Sequence, residues 1–199
     1  MNEGKVFEKS FQESCKKEGI CCIRLVDSNK FGDHTQARFT PLNICDFICH
    51  DGQNLFLLEL KHTKNTSVSF NQPCDAKGNG TYMIKPSQVK SLLNYVNYPN
   101  VHSGLLVDFA DRQTKSKTIE GGTYYIDIEV FKGWADSVDK KSLNIEDAKL
   151  IGIPVDRNIK KVNYTYDVKK MFEDIHNMLW EPHNYVLRGI LCTKIRLVY

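Results

Sequence analysis

The chain has 199 residues, 41% of them hydrophobic and 26% charged, with a formal net charge of +3. That length can bury one sizeable core, and the composition excludes a disordered or low-complexity protein. A charge so close to balance also excludes a uniformly basic nucleic-acid binder, so any basic footprint has to be local.

No apolar run reaches the roughly 20 residues that a bilayer span requires. The opening MNEGKVFEKSF is charged and lacks the apolar centre of a signal peptide. Seven cysteines without a secretion signal point to free thiols in a reducing cytoplasm. Cys21 and Cys22 are adjacent, Cys45 and Cys49 are spaced without a CxxC motif, and the cysteines therefore read as small buried hydrophobes. No linker or repeat divides the chain. One domain is expected over 1–199, with a core at about 4–130 and a C-terminal elaboration over 131–199.

In chain order, Val6, Phe7, Phe11, Ser14 and Cys15 recur at helical spacing and predict a helix over about 4–18, ended by Gly19. Strands are expected at Ile20–Val26, Asn43–Cys49 and Leu55–Lys61, with a polar loop over Asp27–Thr40. His50-Asp51-Gly52-Gln53 joins the last two strands as a hairpin. A helix is expected from Pro86, carrying Val89, Leu92, Leu93 and Val96. Strands at Gly104–Phe109 and Thr123–Val130 come next, followed by a short helix at Phe131–Ser137 and a longer one at Val168–Leu179. The last stretch, Tyr185–Tyr199, reads as a strand. The order is that of a mixed α/β sheet flanked by helices.

One stretch carries the chemistry. In NLFLLELKH (54–62), Leu57, Glu59 and Lys61 share one strand face while Phe56, Leu58 and Leu60 share the other. In the preceding strand Ile44, Asp46 and Ile48 share a face, opposite Cys45, Phe47 and Cys49. Pairing across Asp51-Gly52 can bring Asp46 beside Glu59. Two neighbouring carboxylates ask for a compensating cation, and their oxygens suit hard Mg²⁺, with Mn²⁺ able to substitute. A water retained on such an ion beside Lys61 is a candidate nucleophile toward a phosphodiester. The alternative use of the same charges is a salt bridge of Lys61 with Glu59 or Asp46. His34, His50 and His62 lack ligand spacing and read as surface or supporting residues.

The pieces GKVFEKSF (4–11), CDF (45–47), LLELK (57–61), SVSF (67–70) and PSQ (86–88) resemble the PD-(D/E)XK nuclease superfamily. Within it they look most like RecU-type Holliday junction resolvases and their phage relatives. The resemblance implies a restriction-endonuclease-like αβββαβ core. It implies metal binding by Asp46 and Glu59 with the Leu60 carbonyl, and catalytic roles for Lys61, Glu8 and Gln88. It further implies a Mg²⁺-dependent endonuclease acting on branched DNA in recombination and repair, as a homodimer. The loop Asp27–Thr40 is shorter than the stalk of RecU-type proteins, which leaves open a restriction or repair nuclease on duplex DNA, or a non-catalytic DNA-binding accessory protein. Lys64, Lys77, Lys85 and Lys90 are the candidate phosphate contacts near the site. Asn71–Gly80 is a candidate DNA-contacting loop.

Overall fold

The computed structural model describes residues 3–25, 43–70, 82–113, 118–160 and 163–180. Helix α1 (Glu3–Lys17) presents Phe7, Phe11 and Cys15 inward, then stops at Gly19, whose φ of 73° is the left-handed conformation that glycine adopts without a Cβ clash. Strands β1 (Cys21–Arg24), β2 (Phe47–His50) and β3 (Leu55–Thr63) follow as an antiparallel meander. The β2–β3 turn is the expected one. Gly52 has φ 107°, and Asp51 Oδ1 accepts from the amides of Gln53 and Asn54 at 2.8 and 2.7 Å.

A short strand β4 (Ser67–Ser69) precedes the crossover helix α2 (Pro86–Leu93). Strand β5 (Val101–Phe109) then pairs parallel to β3 along its whole length. After a minor hairpin of β6 (Arg112–Gln113) and β7 (Thr118–Ile119), β8 (Gly122–Asp127) pairs antiparallel to β5. Then come α3 (Ile128–Ser137), β9 (Ser142–Asn144), α4 (Ile145–Ile151), β10 (Ile153–Val155), β11 (Arg157–Lys160), β12 (Asn163–Tyr166) and α5 (Val168–Trp180). Among the described residues the main sheet has six strands in the order β1-β2-β3-β5-β8-β10, and three two-stranded ladders decorate it. With the short β4 set aside, α1-β1-β2-β3-α2-β5 is the expected αβββαβ order. Among the described residues no helix is long and apolar enough to cross a membrane.

Each sheet face buries its own core. Phe56, Leu58 and Leu60 pack against Phe7 and Phe11 of α1 and Met171, Phe172 and Ile175 of α5. Phe56 and Phe172 stack with centroids 3.7 Å apart. Leu57, Leu105, Val107 and Ile126 face the other way, onto Val89 and Leu92 of α2 and Phe131 and Trp134 of α3. The alternation expected for β3 is therefore the one that sorts its side chains between two helical layers.

Several expectations are corrected. The strand expected at Thr123–Val130 ends at Asp127, because that carboxylate accepts from the amides of Glu129 and Val130 at 3.0 and 3.3 Å and caps α3. The strand expected at Asn43–Cys49 begins only at Phe47. The chain bends at Ile44 and Asp46, so Cys45 packs on the α2 side with Ile48 instead of opposite it. The small β4–β9 ladder, α4 and strands β10 to β12 had no counterpart in the expected elements. The loop 27–40, the loop 71–80, Lys77 and the tail 185–199 lie outside the described residues.

Candidate active site

The site is built where β2 gives out and β3 continues. Asp46 stands just before β2, held on both sides by its backbone: its amide donates to Leu58 O at 3.1 Å and its carbonyl accepts from the Leu25 amide at 2.8 Å. Beyond that point β3 has no strand partner on this side among the described residues. The Leu60 amide donates instead to Asp46 Oδ2, at 2.8 Å. A side-chain carboxylate has taken the place of a backbone carbonyl in the ladder, and this fixes its direction. In an extended strand a residue's N–H and C=O point to the same side, so the Leu60 carbonyl shares that open edge with Asp46.

Glu59 is 3% exposed. Its Oε1 accepts from Lys61 Nζ at 2.8 Å and from the Gln88 amide. The Lys61 side chain is itself only 14% exposed. Gln88 sits in the first turn of α2, where its Oε1 accepts from the Lys85 backbone amide at 2.9 Å. An amide N–H can only donate, so the oxygen of Gln88 must face Lys85 and its NH₂ is left for Glu59. Burial pushes the Glu59 carboxyl up to about 7, and the nearby Asp46 charge adds to this, against the opposing pull of Lys61. One ammonium does not neutralise two carboxylates in a dry setting.

That deficit tests whether the group implied by the resemblance fits here. Two carboxylates with one cation, beside a carbonyl at a strand edge, form an all-oxygen donor set of the kind that takes a hard divalent ion. The residues fit. Asp46, Glu59 and the Leu60 carbonyl could hold the ion, and Lys61 and Gln88 orient Glu59.

Glu8 is placed differently. Helix α1 covers the opposite face of β3, and the Glu8 carboxylate is held by Arg24 of β1, whose Nε donates to Oε2 at 2.8 Å. Of the lysines proposed to meet phosphate, Lys85 and Lys90 are exposed at α2, beside Gln88. Lys64 is also exposed but forms an ion pair with Glu3, at the α1 side of the sheet.

The reading of His62 as a surface or supporting residue is corrected in part. Its side chain is largely buried, and Nδ1 lies 2.7 Å from Asp108 Oδ2. Asp108, 2% exposed, also accepts from Thr123 Oγ1 at 2.5 Å and from Arg157 at 3.1 Å. Arg157 continues to Asp111 at 2.7 Å and lies over the Tyr164 ring. Sequence reasoning missed this network because its members come from β3, β5, β8 and β11. The signal was a charged Asp108 inside LLVDF (105–109), an otherwise apolar run.

The SPbeta prophage-derived uncharacterized protein YotM of Bacillus subtilis (strain 168) is 30% identical over 182 residues, covering 85% of each chain. The chain belongs to the YotM family. No protein-family model matches this chain. Among solved structures, Hjc of Archaeoglobus fulgidus, a Holliday junction resolvase from an archaeal hyperthermophile, aligns with a TM-score of 0.45 and 12% identity. That alignment covers 75% of this chain and 94% of Hjc.

Proposed function

We propose that this YotM-family chain is a metal-dependent DNA endonuclease of the PD-(D/E)XK type, acting on branched DNA as a homodimer. The observation that carries the reading is the convergence of Asp46, Glu59 and Lys61 on the strand edge where β2 ends, with Glu59 buried and short of positive charge. A purely structural ion pair does not need a second acid, and burying one is costly.

In this reading Asp46, Glu59 and the Leu60 carbonyl hold Mg²⁺, or Mn²⁺ in its place. Such an ion, once bound, would supply charge stabilisation at the phosphoryl oxygens and a source of nucleophilic water. Lys61 directs its ammonium between Glu59 and the position of the attacked phosphate, so that it orients the nucleophilic water. Gln88 keeps Glu59 turned toward the metal by holding one of its oxygens from the α2 side. Lys85 and Lys90 meet the DNA backbone beside α2, contacts that carry no sequence information. Glu8 acts from the α1 side, through Arg24, whose strand position pairs with Phe47 next to Asp46. A two-fold dimer would deliver the paired nicks that a symmetric junction requires. The work of such an enzyme is recombination and repair in the cytoplasm.

The deciding assay offers linear duplex, nicked duplex and four-way-junction DNA to the chain with Mg²⁺ or with EDTA. Junction cleavage that needs Mg²⁺ and disappears in Asp46→Asn is the expected outcome. Cleavage in EDTA, or cleavage by Asp46→Asn at the wild-type rate, removes the metal-nuclease reading. Equal cutting of linear and junction DNA keeps the nuclease and removes the branched substrate. Sedimentation of the free chain as a monomer and of the junction complex with a single copy would remove the dimer.

A further inference from the structure

Three cysteines that look unrelated in the sequence meet at one edge of the sheet. Cys15 lies near the end of α1, Cys22 in β1 and Cys49 in β2. Cys22 and Cys49 are directly opposed across the antiparallel β1–β2 pair, with Sγ atoms 3.4 Å apart. The left-handed Gly19 and the bond from the Ile20 amide to Cys15 O at 2.9 Å fold the end of α1 back onto this pair. The three sulfurs lie within 4.8 Å of one another.

Zinc–thiolate bonds of about 2.3 Å at tetrahedral angles set their sulfurs about 3.8 Å apart. The Cys22–Cys49 separation of 3.4 Å is a little below that spacing, and no pair in the triangle exceeds 4.8 Å. Three mutually adjacent sulfurs are one more than a disulfide uses. As packing they contribute little beyond small apolar volume, since a thiol is a weak donor and a weak acceptor. Cys15 and Cys49 are buried while Cys22 is only partly so, which leaves one open side to the cluster.

We propose that Cys15, Cys22 and Cys49 form a thiolate site for one Zn²⁺ ion, with a water in the fourth position on the open side of Cys22. The Cys22 sulfur faces the open side and already meets Cys49 Sγ, so an ion from solution reaches it first. The thiols lose their protons to the buffer as the metal binds, and nothing is oxidised or reduced. The ion clamps α1 to the β1–β2 edge, the same junction that Glu8 and Arg24 tie from another point. Its soft donors separate it chemically from the oxygen ligands of Asp46 and Glu59, and it stands whether or not the chain is a nuclease.

The test is a Co²⁺ titration of the reduced, chelator-stripped full chain, followed by displacement with Zn²⁺. Thiolate-to-cobalt charge-transfer absorption should rise to one equivalent and vanish on adding zinc. It should persist in Cys21→Ser, whose residue is exposed and outside the triangle, and in Asp46→Asn. Cys22→Ser, at a partly exposed position, should bind at least tenfold more weakly. Zinc should raise the Tm of the wild-type chain and not that of Cys22→Ser, a readout that needs no substitution at a buried cysteine. Absence of the cobalt band overturns the site, as does a band of unchanged affinity in Cys22→Ser. So does a Cys22–Cys49 disulfide in the isolated chain with no metal uptake after its reduction.

Discussion

Strand β3 sends charged or titratable side chains to both faces of the sheet, and the two groups live under opposite conditions. On the α1 and α5 side, His62 meets Asp108, which also receives Thr123 and Arg157. Three donors serve one carboxylate, and the guanidinium that remains over is taken by Asp111. On the α2 side, Glu59 and Asp46 share Lys61, an amide and a backbone N–H. There the acids outnumber the cations, and the Glu59 carboxyl is pushed up to about 7 by its burial. A saturated buried carboxylate behaves as part of the scaffold, whereas an undersupplied one is a place prepared for something that arrives from solution.

Substitutions on the two faces should therefore fail in different ways. The largest effect is expected on catalysis. Lys61→Ala or Glu59→Gln should lower Mg²⁺-dependent cleavage by at least about 10³-fold, with the chain still folded by circular dichroism. Asp108→Ala should do the reverse. It takes the shared acceptor from His62, Thr123 and Arg157, leaving Arg157 with Asp111 as its carboxylate partner, and should cost roughly 3–5 kcal/mol in urea unfolding, while the cleavage rate of the remaining folded protein stays near wild type. If Asp108→Ala abolished cleavage without a loss of stability, the division between the two faces would be wrong.

An intermediate effect belongs to Gln88. It touches Glu59 but has no place on the open edge, so Gln88→Ala should weaken metal affinity or activity by about 10–100-fold. Because Gln88 reaches the site only through Glu59, combining it with Glu59→Gln should lower activity no further, which a double-mutant cycle would read directly.

The smallest effect is the most diagnostic of charge deficit. A carboxyl raised in the folded state binds its proton more tightly there than in the unfolded chain, whose Glu59 titrates near 4.5. Stability from this group is thus greatest below about 4.5 and falls as the pH rises to about 7. The urea midpoint of Glu59→Gln should gain on that of the metal-free wild type between pH 5 and pH 8. Added Mg²⁺ should offset the wild-type loss at pH 8 and do little at pH 5. Parallel pH profiles for the two proteins would show that Glu59 is not the strained group.

Much of the α2 face was legible from sequence, and the reason is local. Asp51-Gly52 fixes the hairpin, and alternation along Leu57–Lys61 then assigns Glu59 and Lys61 to the face away from Phe56, Leu58 and Leu60. The α1 face was not legible in this way. Asp108 meets residues 46 and 49 positions away, His62 and Arg157, and no pattern within a strand announces such a partner. The meeting of three cysteines was hidden for a related reason: metal-ligand spacing is recognised within a short motif, whereas Cys15, Cys22 and Cys49 are gathered by a helix end and two strands. Asp127 is a different case. Its capping of α3 was readable, but β-branched residues around it favoured a longer strand.

The parallel pairing of β3 with β5 has a consequence for when the molecule becomes competent. Asp46 and Leu60 are joined through a hairpin that closes only 14 residues, so that contact can form early, within microseconds of collapse. Gln88 reaches Glu59 only after the crossover helix has docked, and His62 meets Asp108 only when β5 has zipped along β3. Those steps close much longer loops and are slow by comparison. A chain still on its way to the native state thus holds the acids together without the groups that aim them. The orientation of Glu59 waits for α2 to dock, a step later than closure of the hairpin.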